Sequence, residues 1–333
     1  MKESDIMQQL HNFILHPRTG KVFVSLLACS YLVYLMAWAG FLPTHFLPSS
    51  QTVSEHLVNT NPNDSIKYWT PTSMSSAVAE DDVLHGSAPS TTQRSTDSNV
   101  VKAAKQQGQL PPDKTLTFPL STVGKIFFTT GTGQNSMCSG TAVVSQNHSV
   151  VDTAGHCLYM FGGWSRNVIF CPLYDTGNTP YGCWAARDLE VPSDWINAKP
   201  NDYHHDFGIA IVAPNSQGNV TDVVGGIGWA YNQPVNSPFF AYGYPAAYPF
   251  DGQTRQSCEN ASGTLQQHGE GNVISIPCDM TGGSSGGPWF VQIRGTWYLN
   301  GHNDFINRLQ PNRMFSPYYD DTWYTLYDKA QNS

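Results

Sequence analysis

From Phe118 onward the chain is built of short apolar runs separated by Gly, Pro, Asn and Ser. Lys125–Thr130, Gly140–Val144, Asn167–Phe170, Phe207–Val212, Phe239–Tyr244, Asn272–Ile276, Trp289–Ile293 and Thr296–Leu299 are each four to six residues long and rich in β-branched and aromatic side chains. Runs of that length and type, bounded by turn formers, predict strands. Their number fits an all-β fold made of a pair of antiparallel barrels. Pro317–Ala330 breaks the rhythm: Asp320, Asp321 and Thr322 precede Trp323, Leu326 and Tyr327, which predicts a capped C-terminal helix packed through that apolar side.

Upstream the pattern is different. Val22–Leu42 is 21 residues without a formal charge, preceded by Arg18 and Lys21. Such a run is long enough to span a bilayer, and the basic flank places residues 1–21 in the cytoplasm and the rest of the chain outside. Its length favours an uncleaved anchor over a cleaved signal peptide, for which Ala37-Trp38-Ala39 offers a site. Residues 43–117 are rich in Ser, Thr, Asn, Gln, Asp and Pro, with neither helical nor strand periodicity. They read as a disordered stalk or a propeptide between the apolar segment and a domain at 118–333.

Charge and cysteine content narrow the class. Lys and Arg number 17 against 25 Asp and Glu, a net charge of -8, and no basic run could follow a phosphate backbone, which argues against a nucleic-acid partner. Cys29 lies in the apolar segment, while Cys138, Cys157, Cys171, Cys183, Cys258 and Cys278 all follow residue 117. Six cysteines behind an export segment read as three disulfides, and sequential pairing is favoured among the alternatives. Each bridge would close a loop of roughly 12–20 residues, on the order of 3 kcal/mol in the chain-entropy account. The absence of any C-x-x-C pair argues against zinc.

Three short motifs carry chemistry. Gly283-Ser284-Ser285-Gly286-Gly287-Pro288 is a glycine-dense turn that allows tight bends and can aim the backbone N–H groups of Gly283 and Ser285 at one point. Ser285 is the candidate nucleophile and those two N–H groups the candidate oxyanion hole; Ser284 is the competitor. A serine hydroxyl needs an imidazole to take its proton and a carboxylate to orient that imidazole. Thr153-Ala154-Gly155-His156-Cys157 supplies the candidate base, His156. Asp206, directly before the apolar run Phe207–Val212, supplies the candidate orienting carboxylate.

The chain order His, Asp, Ser, with T-A-G-H-C, C-S-G-T-A at 138–142, D-F-G-I-A-I-V at 206–212 and G-G-S-S-G-G-P at 282–288, resembles the trypsin-like, chymotrypsin-fold serine peptidases. The resemblance covers about residues 118–333 and implies two six-stranded barrels, a triad in the cleft between them, and peptide hydrolysis through an acyl-enzyme without a cofactor. Position 284 is Ser where trypsin has Asp, and no Ile-Val-Gly-Gly-like start stands near Phe118, so the trypsin form of zymogen activation is not expected. In this the chain is similar to the secreted bacterial and fungal glutamyl endopeptidases. That likeness implies a specificity histidine after the nucleophile strand, here His302, with Thr281 in the same pocket and a preference for Glu before the scissile bond; Asn303 is a further candidate to hydrogen-bond Asp206.

The expected protein is thus an extracytoplasmic serine endopeptidase acting on proteins or peptides, either membrane-anchored or secreted. A catalytically silent binding domain and a serine esterase are the alternatives. An unperturbed histidine titrates near 6.5, so activity carried by His156 is expected to rise between roughly pH 6 and 8.

Overall fold

The alternation of apolar and turn residues after Phe118 resolves into paired strands. The computed structural model describes residues 52–79, 117–198, 203–268, 271–307 and 309–333. The apolar stretch 22–42 lies outside them, and no helix of the described residues is long and apolar enough to cross a membrane. All eight predicted runs have a strand counterpart, and the predicted C-terminal helix is Asp321–Gln331, with Asp320 accepting the Thr322 N–H as its cap.

One barrel closes on itself. Strands β3 (Val123–Thr129), β4 (Asn135–Ala142), β5 (Val150–Ala154), β8 (Arg166–Pro172), β9 (Trp184–Pro192) and β10 (Phe207–Val212) pair antiparallel in the order β9-β10-β5-β4-β3-β8, and β8 pairs back to β9. A two-residue hairpin, β6 (Tyr159–Met160) with β7 (Gly163–Trp164), lies between β5 and β8 along the chain. Successive side chains of a strand point to opposite faces. On β10 both faces are buried: Ala210 and Val212 pack inside the barrel with Ile126, Phe128 and Phe170, while Phe207, Ile209 and Ile211 pack outward against Tyr319, Trp323 and Leu326. This explains why Phe207–Val212 is continuously apolar rather than alternating.

The C-terminal half departs from the expected second six-stranded barrel. Its strands form two sheets: a five-stranded one containing β11 (Gly228–Trp229), β17 (Thr296–His302), β16 (Pro288–Ile293), β12 (Pro238–Gly243) and β13 (Gln256–Ser262), and a three-stranded one of β14 (Thr264–His268), β15 (Gly271–Pro277) and β18 (Arg313–Pro317). The two share one core, in which Phe239, Ala241 and Trp289 of the first sheet meet Ile274, Ile276 and Met314 of the second.

The segment 43–117, read as a disordered stalk or a propeptide, is folded over 52–79. Strand β1 (Val53–Leu57) pairs antiparallel with β9, and β2 (Val78–Ala79) pairs parallel with Ser136 and Met137 of β4. Between them stand two short helices, Pro62–Tyr68 and Pro71–Ser75, the second opened by a capping box at Thr70. Trp69 explains the docking: it is 4% exposed, packs on Phe127 and donates its indole N–H to the Asn167 carbonyl at 2.7 Å. One buried Trp and two strand edges supply anchorage that composition alone does not reveal.

The three disulfides pair sequentially, Cys138–Cys157, Cys171–Cys183 and Cys258–Cys278, the arrangement favoured among the fifteen that six cysteines allow.

Candidate active site

His156 and Asp206 are brought together by strand register. Phe207 of β10 pairs with Ala154 of β5, so the residue before the one strand faces the residues after the other. His156 follows in a single helical turn, Gly155–Leu158. Asp206 meets it twice: Oδ2 lies 2.7 Å from the imidazole Nδ1, and Oδ1 accepts the His156 backbone N–H at 2.7 Å. The approach requires Gly155, because a Cβ there would lie 2.8 Å from Asp206 Oδ1 and from the Phe207 carbonyl oxygen. Both side chains are essentially inaccessible. Burial by itself raises the Asp206 carboxyl, but the His156 ring, its hydrogen bonds and the neighbouring Asp304 outweigh it and hold the group below the ordinary carboxylate range.

The serine turn is clamped to the first barrel. Ser139 of β4 donates its backbone N–H to the Ser285 carbonyl at 2.8 Å and its hydroxyl to the Gly283 carbonyl at 3.0 Å, and it accepts the Tyr244 N–H at 2.9 Å. Its neighbour Cys138 is bonded to Cys157, which follows His156, so one covalent bridge ties the clamp of the serine turn to the histidine turn. Gly283 and Gly286 both have positive φ, +91° and +78°, and a Cβ at Gly286 would overlap Thr153 Oγ1. The turn is held from below by Gly286 N–H to the Asn303 carbonyl at 2.7 Å and Asn303 N–H to the Gly287 carbonyl at 2.8 Å.

The two serines have different surroundings. Ser284 donates its hydroxyl to the Thr281 carbonyl at 2.8 Å, within its own turn. Ser285 donates to the Asp304 carbonyl at 3.3 Å, and Asp304 Oδ1 lies 3.6 Å from His156 Nδ1. Asp304 thus touches both the serine and the histidine, which places the hydroxyl, the imidazole and Asp206 in one buried cluster. No motif pointed to Asp304: a lone Asp two residues past a strand end carries no pattern, and only its company of His156 and Asp206 marks it.

The residues expected to line a specificity pocket are hydrogen-bonded to other parts of the fold. His302 is fully buried behind the Asp206 strand. Its Nε2 donates to the Asp206 carbonyl at 3.1 Å, and its Nδ1 is 2.9 Å from the Tyr319 hydroxyl and 3.4 Å from Asp152 Oδ2. Asp152 also accepts from Tyr319 at 2.7 Å and from the Trp323 indole at 2.8 Å. His302 therefore joins the C-terminal helix to the backbone of Asp206, and its ring is used up in doing so. The Thr281 hydroxyl bonds to the backbone of Ala247, donating to its carbonyl at 3.0 Å and accepting its N–H at 3.1 Å. Asn303 does not reach Asp206: its amide donates to the Tyr242 and Ser284 carbonyls and accepts the Trp289 indole N–H at 2.7 Å.

No family model and no curated protein matches the chain. Solved structures do. A thermostable serine protease from an extremophilic microorganism is 39% identical, with a TM-score of 0.58 over 64% of this chain and 98% of that one. Protease Anisep from Arthrobacter nicotinovorans is 37% identical, with a TM-score of 0.58 over 65% of this chain and 98% of its own. A Glu endopeptidase solved with MPD, 18% identical, matches with a TM-score of 0.53 over 66% of this chain and 94% of that one, a likeness of fold.

Proposed function

Because this chain belongs to the trypsin-like, chymotrypsin-fold serine peptidases and is a serine endopeptidase, we propose that His156, Asp206 and Ser285 are its catalytic triad. Ser285 Oγ attacks the carbonyl carbon of the peptide bond while His156 Nε2 takes its proton. Asp206 holds the imidazole through Nδ1 and stabilises the cation that forms. The N–H groups of Gly283 and Ser285 receive the developing oxyanion. Collapse of the tetrahedral intermediate breaks the C–N bond, His156 returns the proton to the leaving amine, and water then releases the acyl group from Ser285 by the same steps in reverse order.

The observation that carries this reading is the pair of 2.7 Å contacts from one buried carboxylate to the His156 ring and backbone, in the cluster that contains Ser285. Two groups so buried keep a polar arrangement of this kind only where each has a partner. A fluorophosphonate probe, followed by mass analysis of the labelled peptide, tests it. Label on Ser285 and hydrolysis of casein are expected; label on Ser284, or none, would overturn it.

The three disulfides and the likeness to solved serine proteases support a place outside the cytoplasm, where disulfides persist. Retention of 22–42 as a membrane anchor belongs to the same proposal and rests on the apolar run alone. No preference for Glu is carried forward from His302, whose ring faces Tyr319, Asp152 and the Asp206 backbone rather than a cleft.

A further inference from the structure

Beside the proposed triad stands a second carboxyl group. Asp304 is 2% exposed, and its two carboxyl oxygens are buried and accept no hydrogen bond at ordinary bonding distance among the described residues. One of them lies 3.6 Å from His156 Nδ1, while a ring nitrogen of His156 and a carboxyl oxygen each of Asp206 and Asp304 all fall within 4.8 Å of one another. Nδ1 carries a single hydrogen, and at 2.7 Å Asp206 is the nearer acceptor. Two carboxylates this close, both removed from water, do not ionise together: one takes a proton.

The identity of the neutral partner follows from the donors. Asp206 receives two, the His156 ring and the His156 backbone N–H, both of which favour its anion. Asp304 receives none at bonding distance. We propose that Asp304 is a positioning residue of this site: a carboxylic acid that keeps its proton, directs it at Asp206, and so holds that carboxylate as the acceptor for His156.

The inference rests on the triad reading of His156, Asp206 and Ser285. Titration directions agree with it, since burial first and the Asp206 charge second push Asp304 well above the ordinary range, while Asp206 is held below it. The groups facing Asp304 are His156 from the turn after β5, Asp206 from the head of β10, and Tyr319 after β18, with Asp152 and His302 bonded behind Tyr319. The arrangement leaves the imidazole beside one negative charge rather than two. A second anion would hold the proton on His156 and keep the base occupied at pH values where it has to be free.

The test compares the full chain with Asp304→Asn, which is neutral and keeps a donor, Asp304→Ser, which keeps a hydroxyl, and Asp304→Ala, which keeps neither. The His156 imidazole is titrated by NMR, without substrate, and turnover of a peptide is measured alongside. With a neutral Asp304, the His156 midpoint in Asp304→Asn or Asp304→Ser stays within about half a pH unit of the parent's, because no charge is removed. In Asp304→Ala kcat falls at least about tenfold with KM little changed, and Asn or Ser restores most of it. A midpoint lowered by more than that half unit would show that the parent carries a second anion, and would overturn the proposal. So would an Ala variant as active as the parent. The imidazole titration needs no turnover, so a chain that binds no probe and cleaves no peptide would count against the triad reading while still deciding the charge of Asp304.

Discussion

Asp206 holds His156 by two atoms at once, its Oδ2 at 2.7 Å from the ring Nδ1 and its Oδ1 at 2.7 Å from the backbone N–H. The second contact fixes where the histidine turn sits, and the first fixes which ring nitrogen carries hydrogen. Asp206→Asn preserves the shape but offers an amide N–H in place of one acceptor, which favours the wrong tautomer. We expect kcat to fall about 10⁴-fold, as loss of the orienting carboxylate does in such triads, with an unchanged circular dichroism spectrum. A fall of less than tenfold would mean that Asp206 does not orient the base.

Adjacent serines offer a sharp comparison. Ser284 closes its own turn on the Thr281 carbonyl, whereas Ser285 faces Asp304 in the cluster with His156. Ser285→Ala is expected to lose fluorophosphonate labelling and nearly all turnover, leaving only the residual catalysis of binding and the oxyanion donors. Ser284→Ala is expected to retain most activity and to lower stability by about 1 kcal/mol, the usual worth of one hydrogen bond. Measuring kcat and Tm for both variants separates the two roles.

Lys125 gives the fold a pH dependence of its own. Its Nζ donates to the Gly252 carbonyl at 2.8 Å and lies over the rings of Phe127 and Tyr174, with no carboxylate in bonding contact among the described residues. Burial brings the amine down to about 7, only partly opposed by Asp251. The unfolded chain keeps this lysine protonated to about pH 10, so between the two values it binds more protons than the folded chain, and stability from this group rises with pH. As pH falls from about 10 to about 7 that contribution is lost, and below about 7 it changes no further. Lys125→Met, similar in volume and uncharged, is therefore expected to melt at or above the parent's temperature at pH 7 and to lose that advantage as pH rises towards about 10. Parallel pH–Tm curves for the two proteins would contradict the assignment.

Residues 52–79 belong to the folded protein through Trp69. Trp69→Ala removes the ring packed on Phe127 and the indole bond to Asn167, and is expected to cost about 3 to 5 kcal/mol or to free the segment, whichever takes less. Limited proteolysis tells the outcomes apart. Cleavage within 52–79 in the variant and not in the parent is the expected result, and equal protection in both would show that β1 and β2 hold the segment unaided.

How much of this was legible beforehand follows from how far each signal reaches along the chain. Short β-prone apolar runs and the turn residues that bound them act within a strand, so Phe207–Val212 and Trp289–Ile293 were readable as strands from their own composition. Trp184–Pro192 was not. Arg187, Asp188 and Glu190 interrupt its apolar pattern, yet Glu190 is buried against Lys329 of the C-terminal helix at 2.6 Å, and Asp188 is buried beside Glu55 of β1, itself 2.7 Å from Lys329. The compensating charges lie far away in sequence, and nothing local announces them.

The amino-acid sequence by itself determined the strand-rich class, a set of six cysteines suited to three bridges, the helix at the C-terminus and the motifs that hold His156, Asp206 and Ser285, since each depends on residue type and local spacing; it favoured sequential pairing, and the fold chose it. The tertiary structure alone decided that 52–79 docks, that His302 supports Asp206 from behind, and that Asp304 stands beside the histidine. Those outcomes depend on register and packing between segments 50 to 280 residues apart, where the position of a side chain is set by what closes around it and not by its neighbours in the chain.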